Sequence, residues 1–206
     1  MITQLKKAVA AQTVTAGREA VADTVRGVVA DIRERGDVAV REYSEKFDKW
    51  SPEQFRLSPE QIDTLIGSLP TQVIDDIVTV QANVRRFATR QRESLTDFEI
   101  ETMPGVFLGQ KNIPISAAGA YIPGGRYPLT ASAHMTIVTA KVAGVERVAA
   151  CTPPIRGVIP AATVAAMSLA GADEIYVLGG VQAVVSLALG TESIGRVDLI
   201  AGPGNA

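Results

Sequence analysis

Few side chains in this sequence are suited to chemistry, and most of them stand beside glycines. Arg126 leaves the turn Pro123-Gly124-Gly125, and His134 follows a little further along. A guanidinium offers a fork of donors that suits sulfonate or carboxylate oxygens, and a helix start adds backbone donors of the same preference. Arg126 and His134 are therefore candidates for holding an anionic group of a substrate. His134 is the only histidine, so it forms neither a multi-histidine metal site nor a relay with a second imidazole. It reads either as a hydrogen-bonded packing residue or as a ligand contact. Gln182 and Asn205 each follow a glycine turn, Gly179-Gly180 and Gly202-Pro203-Gly204. An amide at such a place donates and accepts, which suits a ribose hydroxyl or another amide. For Gln182 the plainer reading is helix capping. Cys151, the single cysteine, ends an apolar run with no lysine or histidine beside it and reads as packing.

These residues need a frame that brings the glycine turns together. After Pro114 the sequence alternates short apolar runs with helical patterns. Strands are expected near 117–122, 147–151, 174–178 and 197–201, and helices near 131–143, 159–170 and 181–189. Such alternation predicts a parallel sheet with helices on both faces. In a parallel sheet the turns after Tyr121, Cys151, Leu178 and Ala201 all fall at one edge, where α/β proteins bind ligands. No Gly-x-Gly-x-x-Gly and no Walker lysine pattern occurs, so neither standard phosphate fingerprint is present.

Residues 1–116 read differently. Met1 to Gly17 shows no firm pattern and is expected to form a short arm that docks on a partner. From Arg18, Val21, Val25, Val28, Val29 and Ile32 recur at helical spacing, and Val38, Val40, Tyr43 and Phe47 predict a second helix after Gly36-Asp37. Ser58-Pro59-Glu60-Gln61 is a helix start of the capping-box kind. Pro70 opens the longest helix, over 71–93, with Val73, Ile74, Ile77, Val80, Val84 and Phe87 predicted on its inner face and its arginines in solvent. Alternation in 98–102 and 106–108 around Pro104-Gly105 predicts a hairpin. The expected fold class is α/β. Residues 1–116 form a helical region plus β-hairpin whose helices need sheet from elsewhere, and 117–206 form a Rossmann-like domain.

Composition narrows the function classes. At 206 residues with 47% hydrophobic and 20% charged residues, the chain reads as an ordinary globular protein. A formal charge of −2 supplies no field for nucleic acid. One cysteine suits a reducing compartment, the N-terminus does not read as a signal peptide, and the longest uncharged stretch, Ile175 to Thr191, is broken by Gly179, Gly180, Gln182 and Ser186. A cytoplasmic setting without membrane contact is expected.

Six blocks in order resemble the histidinol dehydrogenase family: Gly119-x-Tyr121-x-Pro123-Gly124-Gly125, Ala140-Lys141-Val142-Ala143-Gly144-Val145, Cys151-Thr152-Pro153-Pro154, Gly180-x-Gln182-Ala183, Gly190-Thr191-Glu192 and Gly202-Pro203-Gly204-Asn205-Ala206. The resemblance implies an NAD-dependent, zinc-requiring enzyme that oxidises an alcohol through an aldehyde to an acid in two hydride steps. It also implies an incomplete Rossmann-like domain and a homodimer with intertwined chains. On the matched motifs, Tyr121, Gln182 and Asn205 fall on NAD-contacting positions. Members of the family are longer, and their zinc ligands and catalytic glutamate–histidine pair come from the part beyond Ala206. The chain is thus expected to be an N-terminal portion, completed by C-terminal sequence and inactive alone. Around Arg126-Tyr127-Pro128-Leu129-Thr130 the sequence looks more like the branch acting on sulfopropanediol than like the histidinol-specific members. The competing class is a non-catalytic nucleotide-binding module that keeps only the NAD-binding half.

Overall fold

The computed structural model describes residues 11–124 and 129–203. Four helices come first: α1 (Ala11–Arg35), α2 (Asp37–Asp48), α3 (Pro59–Gly67) and α4 (Thr71–Glu93). A two-stranded antiparallel ribbon follows, β1 (Phe98–Met103) and β2 (Val106–Gln110), exposed along its whole length. The remainder alternates: β3 (Ala117–Tyr121), α5 (Thr130–Ala133), a π-turn (His134–Val138), α6 (Thr139–Ala143), β4 (Arg147–Thr152), α7 (Ala161–Ala170), β5 (Glu174–Val177), α8 (Gly180–Leu189) and β6 (Leu199–Ala201). Among the described residues the four strands β3–β6 form one parallel sheet in the order β5-β4-β3-β6. The α/β reading holds. Residues 11–17 are helical, however, and belong to α1 rather than to a patternless arm; residues 1–10 lie outside the described part.

Period two sorts the strand residues onto two faces. Ala118, Ala120, Val148, Ala150, Ile175 and Val177 share one core with α3, α4, α7 and the 130–143 helices. Ala117, Ala149, Cys151 and Tyr176 share the other with α1, α2 and α8, through Val28, Ile32, Ala39, Val40, Ala183 and Leu187. The sheet that the N-terminal helices were expected to need from elsewhere is therefore the 117–201 sheet itself. The sequence changes character at residue 116, but the two cores run across that point.

One sheet edge is covered by a segment too short to show a pattern. Leu57 N–H donates to Ile175 O at 2.9 Å and Val177 N–H to Phe55 O at 2.8 Å, with Arg56 paired antiparallel to Tyr176. The expected inner face of α4 also needs correcting. Ile77, Gln81 and Ala88 are its buried residues, whereas Val80 and Phe87 are exposed. The stripe passes through a glutamine because Gln81 has buried partners, described below. The capping box of α3 forms as read, with Gln61 N–H donating to Ser58 Oγ at 3.2 Å and Ser58 N–H to Gln61 Oε1 at 2.8 Å.

Polar staples gather at the N-terminal edge of the sheet. Arg147 grips Glu174 through Nε and a terminal nitrogen, at 3.2 and 2.9 Å, and also donates to the carbonyls of Gly195 and Arg196. Asp198 accepts from Ala117 N–H at 3.0 Å. Another staple joins the ends of the chain: Glu192 accepts from Asp37 N–H at 2.8 Å, placing a carboxylate on the N-terminus of α2, where the helix dipole favours it. These contacts lock one edge and leave the other to loops.

Candidate functional site

The loops at the C-terminal edge are drawn together by close backbone approaches. Pro153, after β4, lies between the loops that follow β3 and β5. A Cβ on Gly124 would come within 2.6 Å of Pro153 Cγ, and one on Gly179 would fall on Pro153 Cβ, 3.0 Å from its Cα. A Cβ on Gly202, after β6, would collide with the carbonyl oxygen of Tyr121. All four turns therefore meet at one edge. Strand order makes the junction of β3 and β6 the point where the chain reverses its progress across the sheet, the place where open α/β sheets bind ligands.

Tyr121 and Gln182 are brought together there. The Tyr121 hydroxyl accepts from Gly180 N–H at 3.2 Å, at the start of α8. Burial pushes its phenol pKa up, opposed by that hydrogen bond, so the ring stays neutral and keeps its own proton to donate. Gly180 has φ +65°, a backbone that glycine adopts without cost. A Cβ on it would come within 2.7 Å of Gln182 Oε1, so the amide lies under the turn. Gln182 is fully buried and is more than a cap: its Nε2 donates to Asp48 Oδ2 at 2.9 Å, while its Oε1 has no hydrogen-bond partner among the described residues. A buried acceptor without a donor is costly and calls for an explanation.

Asp48 is the residue the sequence did not single out. It ends α2, far from the glycine turns in sequence, and no motif marks it. Its position is fixed by the turn after it: Lys49 closes α2 in the left-handed conformation, and the indole of Trp50 donates to Val177 O at 3.0 Å, at the end of β5. Burial pushes the Asp48 carboxyl above its ordinary value, and the Gln182 hydrogen bond opposes this.

His134 stands elsewhere. It opens the π-turn on the other face of the sheet, 3% exposed, between α4 and α7. Gln81 Nε2 lies 3.2 Å from His134 Nδ1 and donates to Ala166 O at 2.8 Å. The donor amide assigns Nδ1 as acceptor, which places the ring proton on Nε2. The expected helix over 131–143 runs without a gap but is π-helical over His134–Val138; along it Thr136 Oγ1 donates to Ser132 O at 2.6 Å, and Thr139 Oγ1 to Met135 O and Thr136 O. Arg126 and Asn205 lie outside the described residues. Cys151 is buried, its thiol pushed up to about 12, which removes it as a nucleophile.

Burial holds the His134 pKa below 6.5, so the folded protein resists a proton that the unfolded chain accepts. Stability is then full above about pH 6.5 and falls as the pH drops through the window below it. His134→Asn keeps an acceptor facing Gln81 and removes the titration. Thermal midpoints of this variant are expected to fall less between pH 7.5 and 5.5 than those of the wild type. Equal falls would show that His134 does not titrate against folding.

No helix among the described residues is long and apolar enough to cross a membrane, and no group of three or more His, Cys, Asp or Glu is placed there to hold a metal ion.

A family model described as histidinol dehydrogenase matches residues 11–206. The chain is 60% identical over 186 residues to a histidinol dehydrogenase homolog of Shouchella clausii, covering 90% of this chain and 44% of that protein. Against the sulfopropanediol 3-dehydrogenase of Ruegeria pomeroyi it is 46% identical, covering 90% and 42%. Against the histidinol dehydrogenase of Methanosarcina barkeri it is 44% identical, covering 92% and 44%. The crystal structure of histidinol dehydrogenase from Elizabethkingia anophelis superposes with a TM-score of 0.82 at 32% identity, covering 98% of this chain and 44% of that one. The chain spans less than half the length of these relatives.

Proposed function

Because the chain belongs to the histidinol dehydrogenase family, we propose that it is the N-terminal portion of an NAD-dependent, zinc-requiring dehydrogenase and carries that enzyme's NAD site in 117–206. The observation that supports this reading most is the pairing of a neutral Tyr121 hydroxyl with the donorless Gln182 Oε1 beneath a glycine turn at the β3/β6 reversal. A ribose or carboxamide offers both a donor and an acceptor, and the glycine turns let its backbone-side atoms approach. Asn205, outside the described residues, completes the set through the matched motif.

NAD, when bound, would accept a hydride in each of the two oxidations that take a primary alcohol through an aldehyde to an acid. This chain's part is to bind and orient it: Tyr121 donates from its hydroxyl, Gln182 accepts, and Gly180 N–H anchors Tyr121. The zinc ligands and proton-transfer groups are assigned to sequence outside these residues, and the intact enzyme to an intertwined cytoplasmic homodimer. The substrate is a sulfopropanediol-like polyol sulfonate or L-histidinol. Arg126 contacts its anionic group, while His134, buried against Gln81, takes the packing role.

The test uses the intact protein. Losing one ligand hydrogen bond costs on the order of 0.5–1.5 kcal/mol, so Gln182→Ala and Asn205→Ala each weaken NAD binding several-fold by calorimetry. Arg126→Ala lowers kcat/KM for sulfopropanediol more than for histidinol. Unchanged NAD affinity in both amide variants would sink the site, and NAD binding without any NADH production would favour a non-catalytic module.

A further inference from the structure

We infer that Asp48 is a positioning residue for the nucleotide site, fixing the Gln182 side-chain amide so that its oxygen, and not its nitrogen, is presented to the bound ligand. The inference rests on the NAD reading above and deepens it by bringing α2 into the site.

A glutamine amide is ambiguous by itself. Its two ends are nearly equal in size, one donating and one accepting, and only partners decide which faces where. Here Nε2 faces Asp48 Oδ2 at 2.9 Å, inside a cluster where Gln182 is fully buried. An ionised carboxylate only accepts, so turning the amide round would set oxygen against oxygen in a site with little water to screen them. The acceptor end is consequently held toward the Gly180 turn, where it meets no donor among the described residues. The Tyr121 hydroxyl lies on the same turn, so a ligand seated there has a donor beside it and the buried Gln182 acceptor beneath the turn.

Asp48 is itself held from outside the site. Ser44 Oγ donates to Trp50 O at 2.6 Å and the Trp50 indole donates to Val177 O at 3.0 Å, which ties the end of α2 to the strand that leads into α8. The carboxylate therefore reports the place of α2, not a mobile surface chain. Asp48 is half-buried, and burial raises its pKa against the opposing Gln182 hydrogen bond.

The experiment measures NAD+ dissociation constants by calorimetry, with thermal midpoints, on the intact protein. Asp48→Ala is expected to raise the constant as much as Gln182→Ala does, several-fold, and the double variant to add nothing further. Asp48→Asn still offers an oxygen to Nε2 and is expected to stay within about twofold of wild type. If Asp48→Ala does not fold, the pair Gln182→Glu and Asp48→Asn takes its place. Gln182→Glu alone sets two carboxylates together and weakens binding; adding Asp48→Asn supplies a donor and recovers it. Wild-type affinity in Asp48→Ala beside a weakened Gln182→Ala overturns the positioning role and leaves the site standing. Additive losses, no rescue by Asp48→Asn, or no recovery in the swapped pair overturn it as well. Unchanged affinity in both Asp48→Ala and Gln182→Ala removes the site reading and the inference together.

Discussion

Replacing Ile32 by alanine is expected to destabilise the protein by about 2–5 kcal/mol, the usual range for emptying a large buried aliphatic site. Ile32 is 1% exposed and sits on α1 in the core shared with α2, α8 and the face of the sheet that carries Cys151 and Tyr176. In an intact protein more than twice this length the conversion is about 1 °C per kcal/mol, so the thermal midpoint falls by roughly 2–5 °C. Val21, on the same helix but 54% exposed, supplies the control; Val21→Ala is expected to stay within about 0.5 kcal/mol. Thermal denaturation of both variants in the intact protein decides the matter. Equal midpoints would mean that α1 does not pack on this sheet, and the common core of the two halves of the sequence would be lost with it.

Gly179→Val is expected to damage both stability and NAD binding. The backbone is not the difficulty, since φ −118° and ψ −173° suit valine well. The obstacle is Pro153, whose Cβ occupies the place a side chain would take and whose Cα lies 3.0 Å from it. Pro153 is a ring followed by a second proline, and Gly124 already packs close to it on another side, so it has little room to move. Overpacking of this sort costs about 1–3 kcal/mol or more. The loops after β4 and β5 are forced apart and the Gly180 turn moves off Tyr121, so the NAD dissociation constant is expected to rise at least about tenfold. Pro153→Gly in the same chain removes the obstructing atom and should return part of the affinity. A Gly179→Val protein with wild-type midpoint and affinity would show that the loops are not packed as described.

The parts legible in the sequence were those written in local code. Strand, glycine turn and helix recur after Pro114, and the structure returns four parallel strands whose turns share an edge. The capping box at Ser58 is a local rule and forms as read. Long-range partners were not legible. Asp48 has no neighbour in sequence to mark it, and it matters only because α2 ends beside Gln182. Gln81 breaks the apolar stripe of α4, which made Val80 and Phe87 look like its continuation; the structure keeps Gln81 inside because His134 and Ala166 O receive it there. The Phe55–Leu57 pairing is too short for alternation to register. Glu192, one of the family-like blocks, has a structural task, capping α2 from across the chain.

The shared core sets an order of events during synthesis. Asp37 waits for Glu192, 155 positions later, and Asp48 for Gln182, 134 positions later. α1 and α2 leave the ribosome first, yet the helix they pack against, α8, is among the last of these elements to be made. At about 5–20 residues per second, the buried faces of α1 and α2 stay uncovered for on the order of ten seconds. Contacts of such long sequence separation also slow folding, because a large loop must close before any of them is rewarded. The nascent chain thus carries Val28, Ile32, Ala39 and Val40 in the open until α8 arrives, and that interval is when it is most exposed to chaperones and to aggregation.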